Sequence, residues 1–247
     1  MERRYTQVGE ARIHSVHGGA GPDVVLLHGL SGSRHWWRYT LAALAEAYRV
    51  HVPELVGFGR TRAGWHQPQI EEMSQLMIAW LRAQEVAEAH LVGHSMGGQI
   101  ALHMAAGGEV ALRTLTLVCA SGIPRAFTVR EGARLLAGAL PPRRWGATAF
   151  LPTIALDALR AGPRRLAQAG WNLLADDVRP LLPRIAVPTL VIWGGLDPLV
   201  PLAHADVLTQ GIAGARLVVL AGAAHNPMAD EPAAFNRVLL EFLDRHE

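Results

Sequence analysis

The chain contains no lysine, one cysteine and few aromatic residues, which make up 6% of its 247 positions. A single cysteine excludes an internal disulfide, and with it the small cysteine-stabilised folds. The net charge is only +2, and arginine supplies all 23 cationic side chains. Because these arginines do not form a stripe interleaved with aromatic residues, we expect no nucleic-acid partner.

Long apolar runs are also missing. No segment approaches the roughly 18 consecutive apolar residues that a transmembrane helix needs, so we expect no membrane span. The stretch from Tyr5 to His17, which follows Arg3 and Arg4, is too polar for the core of a secretion signal. These absences favour a cytoplasmic location. Half of the residues are hydrophobic and 18% are charged, which at this length predicts one folded domain with a sizeable core.

Short apolar runs alternate with segments of helical spacing along most of the chain. This alternation is typical of a mostly parallel sheet that helices cover on both faces, so the sequence predicts an α/β fold. We predict eight strands, namely an opening hairpin over Tyr5 to Val16 and strands at 24–27, 49–52, 89–92, 115–118, 189–193 and 216–220. The predicted helices span residues 36–48, 70–84, 97–106, 201–210 and 232–243.

Residues 122–183 interrupt this alternation. The stretch is rich in alanine, leucine, arginine and proline and has no strand-like run, so we predict a helical lid inserted into a core formed by residues 1–121 and 184–247. It carries nine arginines and four acidic residues. This excess fits a solvated face, and the alternative is a lid that binds an anionic substrate.

The segment from Gly93 to Gly98 follows a predicted strand and opens a predicted helix. This is the setting of the G-x-S-x-G motif, in which a serine on a sharp turn exposes its hydroxyl. Side chains at Gly93 or Gly97 would collide with the neighbouring strand and helix. The N–H of Met96 at the start of the helix can stabilise an oxyanion. We therefore predict Ser95 as a nucleophile.

A second loop follows the predicted strand at 24–27. Gly29 permits a turn close to the serine loop, so the N–H of Leu30 is a candidate second donor to an oxyanion. The alternative is a plain strand end with a structural His28. His94, beside the serine, is predicted to shape the site.

Asp197 and His225 follow two other predicted strands, at 189–193 and 216–220. The carboxyl ends of parallel strands meet at the edge where α/β sheets build their sites. A serine needs a neutral histidine, held in the right tautomer by a carboxylate, to become nucleophilic. The sequence therefore predicts a catalytic set of Ser95, Asp197 and His225, in that chain order.

The remaining histidines show no H-E-x-x-H motif and no paired Cys/His spacing, so we expect neither a metal site nor a cofactor. Cys119 ends an apolar run and is predicted to be a buried thiol.

An apolar pocket for the substrate is predicted from aromatic and histidine side chains, which could instead be packing between lid and core. Its predicted members are His28, Trp36, Trp37, His94, Trp145, Phe150 and Trp171.

Together these ordered motifs resemble those of the α/β-hydrolase superfamily, and in particular its lidded single-domain serine hydrolases. The resemblance covers essentially the whole chain. Two positions depart from the family pattern, since Glu54 and Thr61 stand where aspartate and serine are usual. The matching segments are His28-Gly29, the loop from Glu54 to Thr61, Gly93 to Gly98, Gly194 to Pro201 and Ala224 to Pro227.

The resemblance implies acyl transfer to water through a covalent acyl-enzyme, with no cofactor. Ser95 would attack the carbonyl carbon, His225 would act first as base and then as acid, and Asp197 would orient the imidazole. The N–H groups of Leu30 and Met96 would hold the oxyanion. A serine at the nucleophile position also argues against the dehalogenase and epoxide hydrolase branches, which place aspartate there.

The substrate expected from this resemblance is a small-molecule ester with a small or medium apolar acyl group. One alternative is a carbon–carbon bond hydrolase of ring-cleavage dienoate products, a family that shares the Ser-Met-Gly-Gly string but commonly has asparagine at the position of His94. Another alternative is a ligand-binding protein on a hydrolase fold.

Overall fold

The computed structural model describes residues 1–64, 66–124 and 146–247, and within them eight strands form one sheet. Each strand predicted from the sequence is present, with bounds that differ by a few residues. The strands are β1 (Glu2–Val8), β2 (Ala11–Gly18), β3 (Asp23–Leu27), β4 (Arg49–Pro53), β5 (Glu88–His94), β6 (Ala111–Val118), β7 (Thr189–Gly194) and β8 (Arg216–Leu220).

The strand order is β1-β2-β4-β3-β5-β6-β7-β8. β1 pairs antiparallel with β2, and β2 pairs antiparallel with β4. All later pairs are parallel. The prediction of a mostly parallel sheet is therefore confirmed, and the loops after β3, β5, β6, β7 and β8 leave the sheet at the same edge.

Helices cover both faces of the sheet, as predicted, and each face has its own apolar core. The alternation along β3 shows this, because Val25 and Leu27 belong to one core while Val24 and Leu26 belong to the other. The first core packs against α2 (Ile70–Ala83), α3 (Met96–Gly107) and α6 (Ala203–Gly211), and the second against α1 (Leu41–Leu44) and α8 (Pro232–Leu243).

The single helix predicted over residues 36–48 is wrong. The chain instead forms a 3₁₀ turn at Arg34–Trp37, a break, and the single-turn helix α1. The apolar spacing is satisfied without a continuous helix, because Trp37 and Tyr48 are fully buried in the core beside α8. Trp37 packs there against Phe235, with ring centroids 6.4 Å apart.

Within residues 146–184 the chain is helical and contains no strand. It forms short 3₁₀ turns at Thr148–Phe150 and Arg179–Arg184, and between them α4 (Leu151–Ala161) and α5 (Pro163–Ala175). A further short helix, α7 (Pro227–Asp230), precedes α8. The division into a core and a lid stays a prediction. None of the helices in the described ranges is long and apolar enough to cross a bilayer.

Candidate active site

Ser95 occupies the sharp turn between β5 and α3. Its backbone has φ 53° and ψ −117°, a region that residues with side chains rarely adopt and that costs about 1–3 kcal/mol. Two hydrogen bonds hold it in place. The N–H of Ser95 donates to the carbonyl of Val118 over 2.9 Å, and the N–H of Ser121 donates to the carbonyl of Ser95 over 3.1 Å. The loop after β6 therefore fixes the strained residue.

The two glycines that flank this turn are needed for close approach. A Cβ atom on Gly93 would lie 2.4 Å from the carbonyl oxygen of Gly97. One on Gly97 would lie 2.4 Å from the carbonyl oxygen of Leu27 in β3. Both contacts are with backbone, which cannot move aside cheaply, so the turn can pack against β3 only with glycine at these positions.

Ser95, His225 and Asp197 are joined by a chain of hydrogen bonds. Ser95 Oγ lies 3.1 Å from His225 Nε2, and His225 Nδ1 lies 2.8 Å from Asp197 Oδ2. The other carboxylate oxygen of Asp197 accepts the N–H groups of Leu199 and Val200 over 2.8 and 3.0 Å. Residues from three separate loops at one edge of the sheet are thus brought together.

The ionisation of Asp197 decides which atom donates and which accepts in these hydrogen bonds. Burial alone would raise the pKa of its carboxyl group, but the adjacent His225 and the two N–H donors outweigh burial, and the pKa is lowered. An ionised carboxylate only accepts hydrogen bonds, so His225 carries its proton on Nδ1 in the neutral state. Its Nε2 lone pair is then free to accept the hydroxyl proton of Ser95.

Cys119 lies beside this chain and is buried, as predicted. Its sulfur accepts the N–H of Gly194 over 3.4 Å. Together with Asp197 and His225 it forms one group of possible metal-ligand atoms within 4.8 Å of one another. Burial and the charge of Asp197 raise the pKa of the thiol well above its usual value. Asp197 and His225, the other two members of this group, are already hydrogen-bonded to each other over 2.8 Å.

The loop after β3 approaches the serine closely. Its Gly29 is needed for a different reason than the sequence suggests. The φ of Gly29 is not positive, and the residue with positive φ in this turn is Ser31, at 64°. A Cβ atom on Gly29 would lie 2.9 Å from His94 Nδ1 and 3.0 Å from Ser95 Cβ. Gly29 is therefore required by the proximity of the serine turn, and Ser31 makes the bend.

Two main-chain N–H groups are available near Ser95. Leu30 lines the cavity described below, and Met96 is the first residue of α3, where N–H groups have no partner within the helix. In the described part of the chain, neither N–H donates to a protein acceptor. Both remain candidate donors to an oxyanion.

A cavity of about 430 Å³ opens at Ser95 and His225. Helices α4 and α5 supply one wall, and most of the lining is apolar. Of the nine arginines in residues 122–183, the four that the structure describes (Arg160, Arg164, Arg165 and Arg179) do not line it. The lining residues are Leu30, Ser31, Trp36, Ser95, Ser121, Ile154, Ala158, Leu166, Leu173, Leu199, Val200, His225 and Asn226.

Of the residues predicted to form the pocket, Trp36 lines this cavity. The two histidines are fully buried behind it. His28 Nε2 accepts the N–H of Leu55 over 3.0 Å, so it fixes a loop. His94 Nε2 donates to the carbonyl of His225 over 2.8 Å, and burial lowers the pKa of His94 to about 3. His94 is thus a neutral support for His225.

Of the other aromatic residues predicted for the pocket, those that the structure describes do not line this cavity. Trp37 is packed in the core against Phe235 of α8. Phe150 is buried against Trp36, with ring centroids 5.9 Å apart, and supports the wall rather than lining it. Trp171 is 74% exposed. Trp145 lies outside the described residues. A single sequence shows that an aromatic side chain is apolar but not which surface it covers.

Sequence reasoning missed the polar side chains in the cavity, which are Ser31, Ser121 and Asn226. Ser121 Oγ lies 3.5 Å from Ser95 Oγ. A positional signal for two of them was present. Ser121 follows the end of β6, and Asn226 is adjacent to His225, so both lie at the sheet edge where sites are built.

Glu54, which departs from the family pattern, has a structural role. It is fully buried and accepts hydrogen bonds from His14, the main-chain and side-chain N–H groups of Arg34, and the N–H of Arg60. Burial would raise the pKa of its carboxyl group, but these partners lower it. The longer glutamate is therefore accommodated away from the cavity.

Comparison with known proteins agrees with this geometry. The sequence profile of the alpha/beta hydrolase family matches residues 24–238. The chain belongs to this family. The hydrolase is 31% identical to RutD, a candidate carbamate hydrolase of Azorhizobium caulinodans, across 96% of this chain and 97% of that protein.

Two further relatives have named substrates. The hydrolase is 32% identical to the pimeloyl-[acyl-carrier protein] methyl ester esterase of Aeromonas hydrophila, across 91% of this chain and 96% of the relative. The crystal structure of the enol-lactonase from Burkholderia xenovorans LB400 matches with a TM-score of 0.80 at 25% identity, covering 98% of this chain and 100% of that one. The protein is therefore an enzyme of the hydrolase class.

Proposed function

We propose that this hydrolase cleaves carboxylic esters of small or medium apolar acyl groups through an acyl-enzyme on Ser95. The observation that carries the proposal is the hydrogen-bonded chain Ser95–His225–Asp197 at the wall of an apolar cavity of about 430 Å³. A cavity of this size suits a small organic molecule, and its apolar lining suits an acyl chain.

In the acylation step, Ser95 Oγ attacks the ester carbonyl carbon while its proton passes to His225 Nε2. The carbonyl oxygen becomes an oxyanion, which accepts the N–H groups of Leu30 and Met96. Asp197 stabilises the imidazolium that forms. When the intermediate collapses, the bond to the alcohol oxygen breaks and His225 returns the proton to the leaving alcohol. Each N–H group that donates to the oxyanion typically contributes about 3 kcal/mol of transition-state stabilisation.

In the deacylation step, water takes the place of the alcohol. His225 Nε2 accepts a proton from the water, whose oxygen attacks the acyl carbonyl carbon. Collapse of the second intermediate breaks the bond to Ser95 Oγ, and the serine recovers its proton from His225. The products are a carboxylic acid and an alcohol, and the enzyme is regenerated without a cofactor.

We further propose that residues 122–183 act as a lid over the cavity. Ile154 and Ala158 of α4 and Leu166 and Leu173 of α5 contribute to the wall. The methyl ester and lactone named for two relatives are both cleaved at a carbonyl–oxygen bond, which agrees with an ester substrate.

The alternative substrates receive less support. A dienoate or another anionic substrate needs a cationic partner, and none of the described arginines of the insertion lines the cavity. Ligand binding without turnover does not require the hydrogen bonds that join Asp197 to His225 and His225 to Ser95. The geometry therefore favours an ester over an anion and catalysis over binding alone.

The test is turnover of p-nitrophenyl esters with acyl chains of increasing length. We expect hydrolysis with an optimum at short or medium chains, and a loss of kcat of at least about 1,000-fold in Ser95→Ala, because the nucleophile is removed. The matched control is Ser74→Ala, a remote serine in α2 whose hydroxyl binds the carbonyl of Glu71 and which should keep full activity. Unchanged turnover in Ser95→Ala would contradict the proposal.

Labelling with a fluorophosphonate separates the remaining outcomes. A protein whose Ser95 reacts with this probe but which hydrolyses no ester would overturn the ester assignment. Carbon–carbon cleavage or ligand binding would then be the better interpretation.

A further inference from the structure

We infer that Asp157, in α4, is a positioning residue for the oxyanion loop of Leu30, so that full turnover requires α4 to be docked. The inference deepens the proposed function and rests on it. Asp157 is the one buried residue of α4, a helix that otherwise exposes or half-buries its side chains. Burying a carboxylate is unfavourable unless hydrogen bonds compensate, so its partner indicates its role.

That partner is Ser33. Ser33 Oγ donates to Asp157 Oδ2 over 2.7 Å, and both side chains are buried. The other oxygen of Asp157 lies 3.5 Å from Arg160 Nη1, one turn further along the same helix. The hydroxyl oxygen of Ser33 also accepts the N–H of His35 and so begins the 3₁₀ turn that carries Trp36. Asp157 therefore fixes Ser33, which lies between the loop after β3 and the turn whose Trp36 lines the cavity.

The loop from His28 to Ser33 is fixed at both ends. At the first end, His28 Nδ1 donates to the carbonyl of Gly29 over 2.8 Å and its Nε2 accepts the N–H of Leu55. At the second end, Ser33 binds Asp157. Between them the N–H of Gly32 donates to the carbonyl of Gly29 over 3.0 Å and closes the bend. The N–H of Leu30 lies inside this closed turn, so its direction depends on both anchors.

The two anchors come from different parts of the chain. His28 is held within the residues predicted to form the core, whereas Asp157 belongs to the predicted lid, 124 positions after Ser33. An oxyanion donor acts only when it lies about 2.7–3.1 Å from the developing charge, and small displacements weaken it strongly. Docking of α4 therefore sets the geometry of one of the two donors, in addition to closing the cavity.

The experiment compares kcat and KM for a short p-nitrophenyl ester in three variants. In Asp157→Ala we expect kcat to fall about 10- to 100-fold with KM nearly unchanged, because a donor used in the transition state is misplaced. Asp157→Asn keeps an oxygen that accepts the Ser33 hydroxyl, so it should restore kcat to within about threefold of wild type. Ser33→Ala should resemble Asp157→Ala, and the double variant should lose no more than either single variant.

The matched control is Thr153→Ala in the same helix. It removes a hydrogen bond of 3.0 Å from Arg38 Nη1 to Thr153 Oγ1, which also joins α4 to the rest of the molecule but does not contact the oxyanion loop. We expect it to leave kcat within about threefold of wild type, as a surface substitution does. A loss of kcat in Thr153→Ala equal to that in Asp157→Ala would overturn the inference, and so would an Asp157→Ala variant that changes only KM or only Tm.

The rate of fluorophosphonate labelling of Ser95 supplies a readout that needs no substrate. Phosphonylation develops negative charge on an oxygen held by the same two donors, so its rate should fall in Asp157→Ala and recover in Asp157→Asn. An unchanged labelling rate in Asp157→Ala would overturn the inference. If wild type is labelled but hydrolyses no ester, the proposed function fails while these labelling rates still decide the role of Asp157.

Discussion

Gly97 illustrates how much a single methyl group can decide at this site. The residue lies two positions after Ser95, and any side chain there meets the carbonyl oxygens of Leu27 and His28 at 2.4 and 2.6 Å. Relief requires the serine turn to move away from β3. That movement would carry Ser95 Oγ away from His225 and would open the packing between α3 and the sheet.

For Gly97→Ala we therefore expect the free energy of unfolding to fall by about 2 kcal/mol or more, together with a loss of esterase activity. The matched control is Gly107→Ala in the same helix, where a Cβ atom meets nothing within 4 Å. It should be neutral or stabilising by up to about 1 kcal/mol, because alanine is the better helix former. Urea unfolding and ester turnover check both variants, and equal stability of the two would contradict the steric argument.

For single residues, the sequence predicts proximity where a reactive residue type also directly follows a predicted strand. Ser95, Asp197 and His225 each follow a predicted parallel strand, which was enough to expect them at one edge of the sheet. The structure places them within hydrogen-bond distance. The contact between Ser33 and Asp157 had no comparable signal, because it joins two loops of unrelated spacing across 124 positions.

Among the secondary-structure elements, α4 has one face that lines the cavity and another that is exposed to solvent. Ile154 and Ala158 face the cavity, whereas Leu156 and Leu159 are exposed, the latter at 79%. Under the proposed function, we therefore expect the cavity face of this helix to limit the length of the acyl chain. A larger side chain at Ala158 should fill space that the acyl chain would occupy.

For Ala158→Phe we expect the optimum acyl length to become shorter, with kcat/KM for the longest good substrate falling at least about tenfold, as a lost apolar contact of 1–3 kcal/mol implies. Hydrolysis of the acetate ester should persist. Ala155→Phe is the control, because Ala155 belongs to the same helix and is exposed. Identical chain-length profiles for the two variants would show that α4 does not bound the acyl site.

The strands were predicted more accurately than the helices. A buried parallel strand is a short continuous apolar run, and that pattern appears in the sequence without reference to any neighbour. The helix predicted over residues 36–48 failed because its apolar spacing is real but is used by a 3₁₀ turn and a single-turn helix. Tertiary packing of Trp37 against α8 decides that conformation, and a local pattern does not contain it.

The molecule as a whole buries several histidines in neutral form. Burial lowers the pKa of His17 and of His90 to about 4 and that of His94 to about 3. In the unfolded chain these groups titrate near their ordinary pKa of about 6.5. As the pH falls below that value, the unfolded state takes up protons that the folded state does not bind.

We therefore expect the free energy of unfolding to be highest above about pH 6.5 and to decrease as the pH falls toward 4, by up to about 1.4 kcal/mol per pH unit for each such histidine. Urea unfolding at pH 7.5, 6 and 5 measures this slope. His90→Gln should have a shallower slope, since a glutamine can bind Thr114 but does not titrate there. A slope that is the same in wild type and variant would contradict the assignment of His90.

Cys119 gives the molecule a built-in reporter of its own opening. It is the only cysteine in the chain, and it is fully buried just past the carboxyl end of β6, next to the carboxylate of Asp197. Because it is buried, a thiol reagent can reach it only when the structure around the carboxyl ends of β6 and β7 opens. Under native conditions the rate of its modification therefore reports transient opening of the structure around Asp197 and His225, without any engineered label.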